Sequence, residues 1–192
     1  MKALIYGHSQ SGGMGLDLEK GLKKAGVSVK RITNVGYNDV KLLKAAPAQV
    51  DADFVFLYAG GNSDKAEPEA IRKLVDHFGK QRTFVVLGPV STAHAKGDLW
   101  RERNKGNVEG LKGYVPVYSV EAGAKEFWPD KLHMKPGAPT SVKLAQQILA
   151  DAKIGPKVEG GGSSAGPSTL LMSLPLVLLL GCGAFYLYAT RR

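Results

Sequence analysis

The chain has 192 residues, a length that suits one ordinary domain with some residues to spare. Apolar residues make up 44% and charged residues 22%, which excludes a disordered or fibrous protein, and residues 1–168 carry 24 basic against 17 acidic residues, a net charge of +7. A single cysteine, Cys182, excludes a disulfide-stapled secreted mini-domain and the zinc-finger class.

Short apolar runs alternate with amphipathic stretches in the first 152 residues, which is the pattern of βαβ units. The runs at 53–58 and 83–87 are almost continuously apolar, as in strands that are covered on both faces. The sequence therefore predicts an α/β fold, a three-layer αβα sandwich with a five-stranded parallel sheet. The predicted strands cover residues 2–6, 27–32, 53–58, 83–87 and 114–120. Of the predicted helices, the first ends at Gly26, the second contains residues 70–78 and the last covers residues 141–152.

The C-terminal part of the chain has a different composition from the predicted domain. Residues 170–189 form an apolar stretch about as long as a helix that crosses a bilayer, ~20 residues. A buried core helix is the alternative, but a helix that is apolar on all faces needs a large protein around it. We therefore expect a domain over 1–152, a flexible Gly/Ser-rich linker over 153–168 and one transmembrane helix over 169–190.

The expected location follows from this arrangement. The first strand begins at the N-terminus with no secretory signal before it, which predicts a C-terminally anchored, single-pass membrane protein. The membrane is that of a cell or of a virion. Basic residues flank both ends of the expected span, so the positive-inside rule leaves the side of the domain open.

Residues with catalytic chemistry occur at the predicted strand ends. Ser9 follows the first strand, Gly36 the second and Asn62 the third, and Asp130 and His133 precede the last helix. In an open α/β sheet, the ligand crevice lies at the carboxyl ends of the strands, so these residues are expected to meet. A nucleophilic serine needs a base, an acid that orients the base, and donors directed at the oxyanion. These residue types meet all three needs.

The same segments resemble the block motifs of the SGNH (GDSL-like) hydrolase superfamily over almost the whole predicted domain. The first block in that family is Gly-Asp-Ser, and residues 7–9 match it with His8 in place of the aspartate. Gly36 matches the glycine of the second block, residues 60–62 match the Gly-x-Asn of the third, and residues 130–133 match the Asp-x-x-His of the last.

The resemblance implies Ser9 as nucleophile, His133 as general base and Asp130 as the acid that orients it. The backbone N–H groups of Ser9 and Gly36 and the side-chain amide of Asn62 would form the oxyanion hole. No cofactor or metal is implied. The expected function is that of a membrane-tethered serine esterase, which cleaves an acyl or acetyl ester on a lipid or a glycan.

Two residues depart from the family pattern. His8 changes the charge and hydrogen bonding of the pocket, and Ser63 stands where aspartate is usual, although Asp64 follows it. Trp128 and Tyr37 are candidates for the pocket wall. The remaining histidines, His77 and His94, are expected to be exposed.

Two other function classes stay open. The loop over 7–13 resembles the phosphate loop of flavodoxins, which would make the domain a flavodoxin-like cofactor-binding module that purifies yellow. That interpretation leaves Asp130 and His133 without a role. Alternatively, the domain is a catalytically inactive anchored binding domain that uses its net positive charge to bind anionic partners. The basic residues approach a cluster only at 96–105 and no nucleic-acid motif accompanies them, so no nucleic-acid partner is expected.

Overall fold

The computed structural model describes residues 1–155, so the predicted transmembrane helix and most of the predicted linker lie outside the described residues. Within residues 1–155, no helix is long and apolar enough to span a bilayer. The strands are β1 (Lys2–Gly7), β2 (Ser28–Thr33), β3 (Phe54–Ala59), β4 (Thr83–Leu87), β5 (Val90–Ser91), β6 (Val117–Tyr118) and β7 (Glu121–Ala122). The α-helices are α1 (Gln10–Lys24), α2 (Asp39–Ala45), α3 (Pro68–Phe78), α4 (Gly97–Leu111) and α5 (Pro139–Asp151).

The central sheet has five parallel strands in the order β2-β1-β3-β4-β6, which confirms the predicted α/β class and the five-stranded parallel sheet. All five strands therefore end at one edge. The fifth strand is shorter than predicted, because pairing with β4 covers only Val117 and Tyr118. The chain beyond it pairs β7 with β5 in a separate two-stranded parallel sheet.

Two apolar cores lie on the two faces of the sheet and confirm the three-layer arrangement. Successive residues of a strand face opposite sides, so Ala3 and Ile5 join one core while Leu4 and Tyr6 join the other. The first core contains residues of α1 and α5, and the second contains residues of α2, α3 and α4.

Helix α4 was not predicted from the sequence, because its inner face is largely polar. Arg103, Asn104 and Asn107 are all buried there. Asn104 donates to the carbonyl oxygen of Gly88 at 2.8 Å, and Asn107 accepts the Glu67 N–H at 2.8 Å. The helix is therefore held over the loops after β3 and β4 by polar contacts, which leave no apolar period in the sequence.

Candidate active site

Ser9 lies at the carboxyl end of β1, immediately before the first residue of α1. At Gly7 a Cβ atom would lie 2.2 Å from the carbonyl oxygen of Tyr58 on β3, so only glycine allows the two strands to approach so closely. The His8 N–H donates to the same carbonyl oxygen at 3.2 Å. The end of β1 is thus held against β3, and Ser9 begins the turn into the helix.

The Ser9 hydroxyl meets the His133 imidazole, although 124 residues separate them in the chain. Ser9 Oγ lies 2.9 Å from His133 Nε2, and His133 Nδ1 lies 2.7 Å from Asp130 Oδ2. An ionised carboxylate only accepts hydrogen bonds, so Nδ1 carries the proton and donates to it. The lone pair of Nε2 then accepts from the Ser9 hydroxyl. This arrangement can pass a proton from the serine to the histidine.

The Asp130 carboxylate also organises the loop that carries it. Asp130 Oδ1 accepts the backbone N–H of Leu132 at 2.9 Å and that of His133 at 3.1 Å. Desolvation raises the pKa of Asp130, but the hydrogen bonds from the His133 side chain and from these two N–H groups outweigh it and lower the pKa to about 2. Asp130 is therefore an anion at neutral pH.

Gln10, a buried residue next to Ser9, holds the backbone on both sides of His133. Its Nε2 donates to the carbonyl oxygen of Leu132 at 2.7 Å, and its Oε1 accepts the Met134 N–H at 3.4 Å. Sequence reasoning missed this residue. A glutamine at the start of a helix carries no signal of a partner 122 residues away.

A second contact from α1 holds the other end of the same loop. The buried Asp17 carboxylate accepts the Gly137 N–H through both oxygens, at 3.0 and 2.9 Å, and the Ser141 hydroxyl at 2.6 Å. Helix α1 therefore fixes the start of α5 as well as the backbone around His133.

The three predicted oxyanion donors differ from one another in their hydrogen bonds and in their distance from the cavity beside Ser9. The N–H groups of Ser9 and Gly36 have no hydrogen-bond acceptor among residues 1–155. Asn62 Nδ2 donates to the carbonyl oxygen of Tyr37 at 3.0 Å, which leaves its second N–H without an acceptor in the described part of the chain. Ser9 and Asn62 line the same cavity, whereas Gly36 is not among the described residues that line it. Gly36 has a φ of 77° and directly precedes Tyr37.

His8, which stands where the motif that this sequence resembles has aspartate, is buried beneath the loop after β3. Its Nε2 lies 3.1 Å from the Ala59 carbonyl oxygen, and its Nδ1 lies 3.4 Å from the Gln10 N–H, which assigns the ring proton to Nε2. A Cβ atom at Gly61 would lie 2.6 Å from this ring, so glycine is required there. Burial lowers the pKa of His8 to about 4, so the ring is neutral at neutral pH.

Ser9 borders two cavities. The first, of about 380 Å³, is also lined by Asn62 and Arg103. The second, of about 350 Å³, is also lined by His133 and Trp128. Trp128 is 50% exposed and forms a wall of the second cavity, as the sequence predicted. A substrate whose ester bond lies at Ser9 can therefore extend into both cavities.

Other residues that the sequence singled out lie apart from Ser9. Tyr37 lines neither of these two cavities among the described residues. His94 is half-buried rather than exposed, because it stacks on Trp100 with 4.2 Å between the ring centroids. His77 is exposed. Within residues 1–155, no group of three or more histidine, cysteine or acidic side chains could hold a metal ion.

No protein-family model matches the chain, and no curated protein sequence matches it either. Among solved structures, it is similar to the C-terminal catalytic domain of Streptococcus pneumoniae peptidoglycan O-acetyltransferase A, at 16% identity over 79% of this chain and 93% of that one, with a TM-score of 0.52. It is also similar to a carbohydrate esterase (14% identity, 79% and 64% covered, TM-score 0.46) and to a short-chain flavodoxin (14%, 79% and 99%, TM-score 0.37). The first likeness shows that the chain has the fold of that catalytic domain.

Proposed function

We propose that this chain is a serine esterase, a carboxylic ester hydrolase, in which Ser9 is the nucleophile, His133 the general base and Asp130 its orienting acid. The observation that carries the proposal is the continuous line of hydrogen bonds, 2.9 Å from Ser9 Oγ to His133 Nε2 and 2.7 Å from His133 Nδ1 to Asp130 Oδ2. A serine hydroxyl is a weak nucleophile until a base accepts its proton.

The reaction proceeds in two halves. Ser9 Oγ attacks the ester carbonyl carbon while its proton moves to His133 Nε2, and the carbonyl oxygen becomes an oxyanion. When the tetrahedral intermediate collapses, the carbon–oxygen bond to the alcohol breaks and His133 returns the proton to the alcohol oxygen. Water then attacks the acyl-Ser9, again giving its proton to His133. As the bond between the acyl carbon and Ser9 Oγ breaks, His133 returns this proton to Oγ, which restores the Ser9 hydroxyl and releases the carboxylic acid.

We assign the oxyanion donors to the backbone N–H groups of Ser9 and Gly36 and to the side-chain amide of Asn62. Neither backbone N–H has an acceptor among residues 1–155, and the amide keeps one free N–H. The Ser9 N–H also lies at the N-terminus of α1, where the helix dipole favours negative charge. Hydrogen-bond donors directed at the oxyanion lower its energy.

We propose an acetyl ester on a glycan as the substrate, with a lipid ester as the alternative. The solved structure with a similar fold belongs to a protein that is named a peptidoglycan O-acetyltransferase. The half-exposed Trp128 beside His133 gives the second cavity an aromatic wall, and a sugar ring can pack its apolar face against an indole. A membrane tether over 169–190, in a cell or virion membrane, remains a prediction, because that segment lies outside the described residues.

The test uses the full chain, purified in a mild nonionic detergent, with a fluorophosphonate probe and para-nitrophenyl acetate. We expect wild type to be labelled and to hydrolyse the ester. Ser9→Ala should lose labelling and reduce kcat by roughly 10⁴-fold or more, because the nucleophile is removed. Ser28→Ala, a matched control at an exposed serine of β2, should retain both.

Three outcomes would contradict the proposal. Full activity in Ser9→Ala would exclude Ser9 as the nucleophile. A folded, colourless wild type with neither labelling nor hydrolysis would indicate the inactive binding domain, and a yellow protein would indicate the flavodoxin-like module. If wild type is active, its relative rates on O-acetylated oligosaccharides and on long-chain lipid esters decide between the two substrate classes.

A further inference from the structure

Arg103 of α4 is a buried cation in the wall of the first cavity. Arg103 is only 6% exposed. It lies in the segment 96–105, where the basic residues of the sequence come closest to a cluster. It forms no salt bridge with an acidic side chain of residues 1–155, and Asp39 and Asp64 act on it only at longer range. The guanidinium lies over the Trp100 ring, 6.0 Å from the ring centroid, but buried charges in proteins are usually paired with an opposite charge, and no carboxylate of residues 1–155 takes that place.

The guanidinium group keeps donors that the protein does not use. Nη1 donates to the Ser63 carbonyl oxygen at 3.0 Å, while Nε and Nη2 both donate to Asn104 Oδ1, at 3.2 and 3.1 Å. A guanidinium group has five N–H bonds, of which these contacts use three. One N–H on each terminal nitrogen is left without an acceptor in the described part of the chain. These two N–H groups can donate to the oxygens of an anion such as a carboxylate.

The other charged groups around this cavity leave it with a positive balance. Lys96 lines the cavity and pairs with Asp64, whose oxygens lie 3.0 and 3.2 Å from Nζ, so these two charges offset each other. His8 is neutral at neutral pH because it is buried. The charge of Arg103 is therefore left without an equal opposite charge among the groups that line the cavity.

We propose that the first cavity binds an anionic group on the alcohol part of the ester, in its simplest form a carboxylate, and that Arg103 is the residue that binds it. This inference rests on the proposed esterase function. An acetyl group fills only a part of this cavity of about 380 Å³, so the space admits an anionic part of the glycan, while a neighbouring sugar ring of the same glycan packs against Trp128 in the second cavity. The substrate class is then an acetylated acidic glycan.

The test compares para-acetoxybenzoate with its neutral analogue para-acetoxybenzamide on the full chain. The two esters share the acetyl group, and only the first carries a carboxylate on the alcohol part. We expect kcat/KM to be roughly 10- to 100-fold higher for the carboxylate ester at low salt, because charge-assisted hydrogen bonds are among the stronger ones. The ratio should fall as the salt concentration rises.

Variants of two arginines on the same helix separate recognition from stability. Arg103→Gln should bring the ratio of kcat/KM close to one, and Arg103→Lys should give an intermediate ratio, because it keeps the charge and loses the paired donors. Arg101→Gln is the matched control. Arg101 is half-buried, pairs with Glu121 and Asp98, and does not line the first cavity among the described residues, so its loss should leave the ratio unchanged. If Arg103→Gln does not fold, the wild-type ratio and its salt dependence decide the question.

The outcomes separate this inference from the proposed function. Equal kcat/KM for both esters in wild type would overturn the anion site and leave the esterase intact. Hydrolysis of neither ester would contradict the esterase. Calorimetric titration with para-hydroxybenzoate and para-hydroxybenzamide then tests the site without catalysis. Selective binding of the carboxylate that Arg103→Gln abolishes would support the site, and equal or absent binding of both compounds would overturn it.

Discussion

The line from Ser9 to His133 depends on a glutamine that takes no part in the chemistry. Gln10 follows Ser9 directly and hydrogen-bonds the backbone at Leu132 and Met134, on both sides of His133. One residue thus couples the position of the proposed nucleophile to the position of its base. The distance between the two reacting groups is sensitive to such coupling, because small misplacements in a catalytic site lower the rate steeply.

We therefore expect Gln10→Glu to lower kcat by roughly 10- to 100-fold with little change in KM. A glutamate cannot donate to the Leu132 carbonyl oxygen, so the shorter of the two hydrogen bonds is lost. Gln147→Glu, at an exposed glutamine of α5, is the control and should leave kcat unchanged. Steady-state kinetics with para-nitrophenyl acetate would measure the effect, and an unchanged kcat in Gln10→Glu would argue against a positioning role.

Among the secondary-structure elements, α1 contacts the loop of the proposed catalytic residues at unusually short range. A Cβ atom at Gly13 would lie 2.8 Å from the Met134 carbonyl oxygen, which is a backbone atom that cannot turn away. At the neighbouring Gly12, the nearest atom to such a Cβ lies 3.6 Å away, an ordinary contact. The close packing of the helix against the loop therefore depends on the missing side chain of Gly13 and not on that of Gly12.

This difference predicts opposite effects for two alanine substitutions in one helix. Gly13→Ala should lower the free energy of unfolding by about 1–3 kcal/mol, because the loop must move to admit the methyl group. Gly12→Ala should raise it by up to about 1 kcal/mol, because alanine favours a helix and meets no obstruction. Urea denaturation of both variants would measure these changes. Equal effects of the two substitutions would show that the packing of α1 on the loop is looser than the structure indicates.

For the molecule as a whole, two buried titratable groups near the carboxyl edge of the sheet have pKa values shifted in opposite directions. Burial raises the pKa of Asp39 from 3.8 to about 7, against the effect of its hydrogen bonds from the Gly60 N–H. Burial lowers the pKa of His8 from 6.5 to about 4. In both cases the folded protein favours the neutral form.

The contributions of the two groups to stability should oppose each other between pH 6.5 and pH 4. Asp39 makes its full contribution to the free energy of unfolding below pH 4, and this contribution is lost as the pH rises through 7. The reason is that the folded state binds the proton of the Asp39 carboxyl group more tightly than the unfolded state does. The stability from His8 is complete above pH 6.5 and is lost as the pH falls to 4. Each slope is at most about 1.4 kcal/mol per pH unit.

Single substitutions should reveal the two slopes. On acidification from pH 6.5 to 4.5, Asp39→Asn should lose more of its free energy of unfolding than wild type, because the His8 slope is no longer opposed. His8→Gln should lose less than wild type, or gain. Urea unfolding at three pH values would measure the slopes, and the other carboxylates affect both variants alike. Identical pH profiles in the two variants would contradict the prediction.

Much of the fold was predictable from the chain itself, because strands that are buried on both faces need continuous apolar runs. The runs at 53–58 and 83–87 became β3 and β4 almost residue for residue. The predicted meeting of Ser9, Asp130 and His133 depended on a topological rule, that parallel strands end at one edge. Polar residues placed just after such strands therefore indicate a site from the sequence alone.

Tertiary structure decided the parts that depend on contacts between distant segments. Helix α4 packs through Arg103, Asn104 and Asn107, so no apolar period marked it in the sequence. Gln10 acquires its role from a loop 122 residues away, and His8 is neutral only because the chain folds over it. Apolar burial repeats along the chain and can be recognised locally, whereas a polar side chain acquires its function from partners that only folding brings within hydrogen-bond distance.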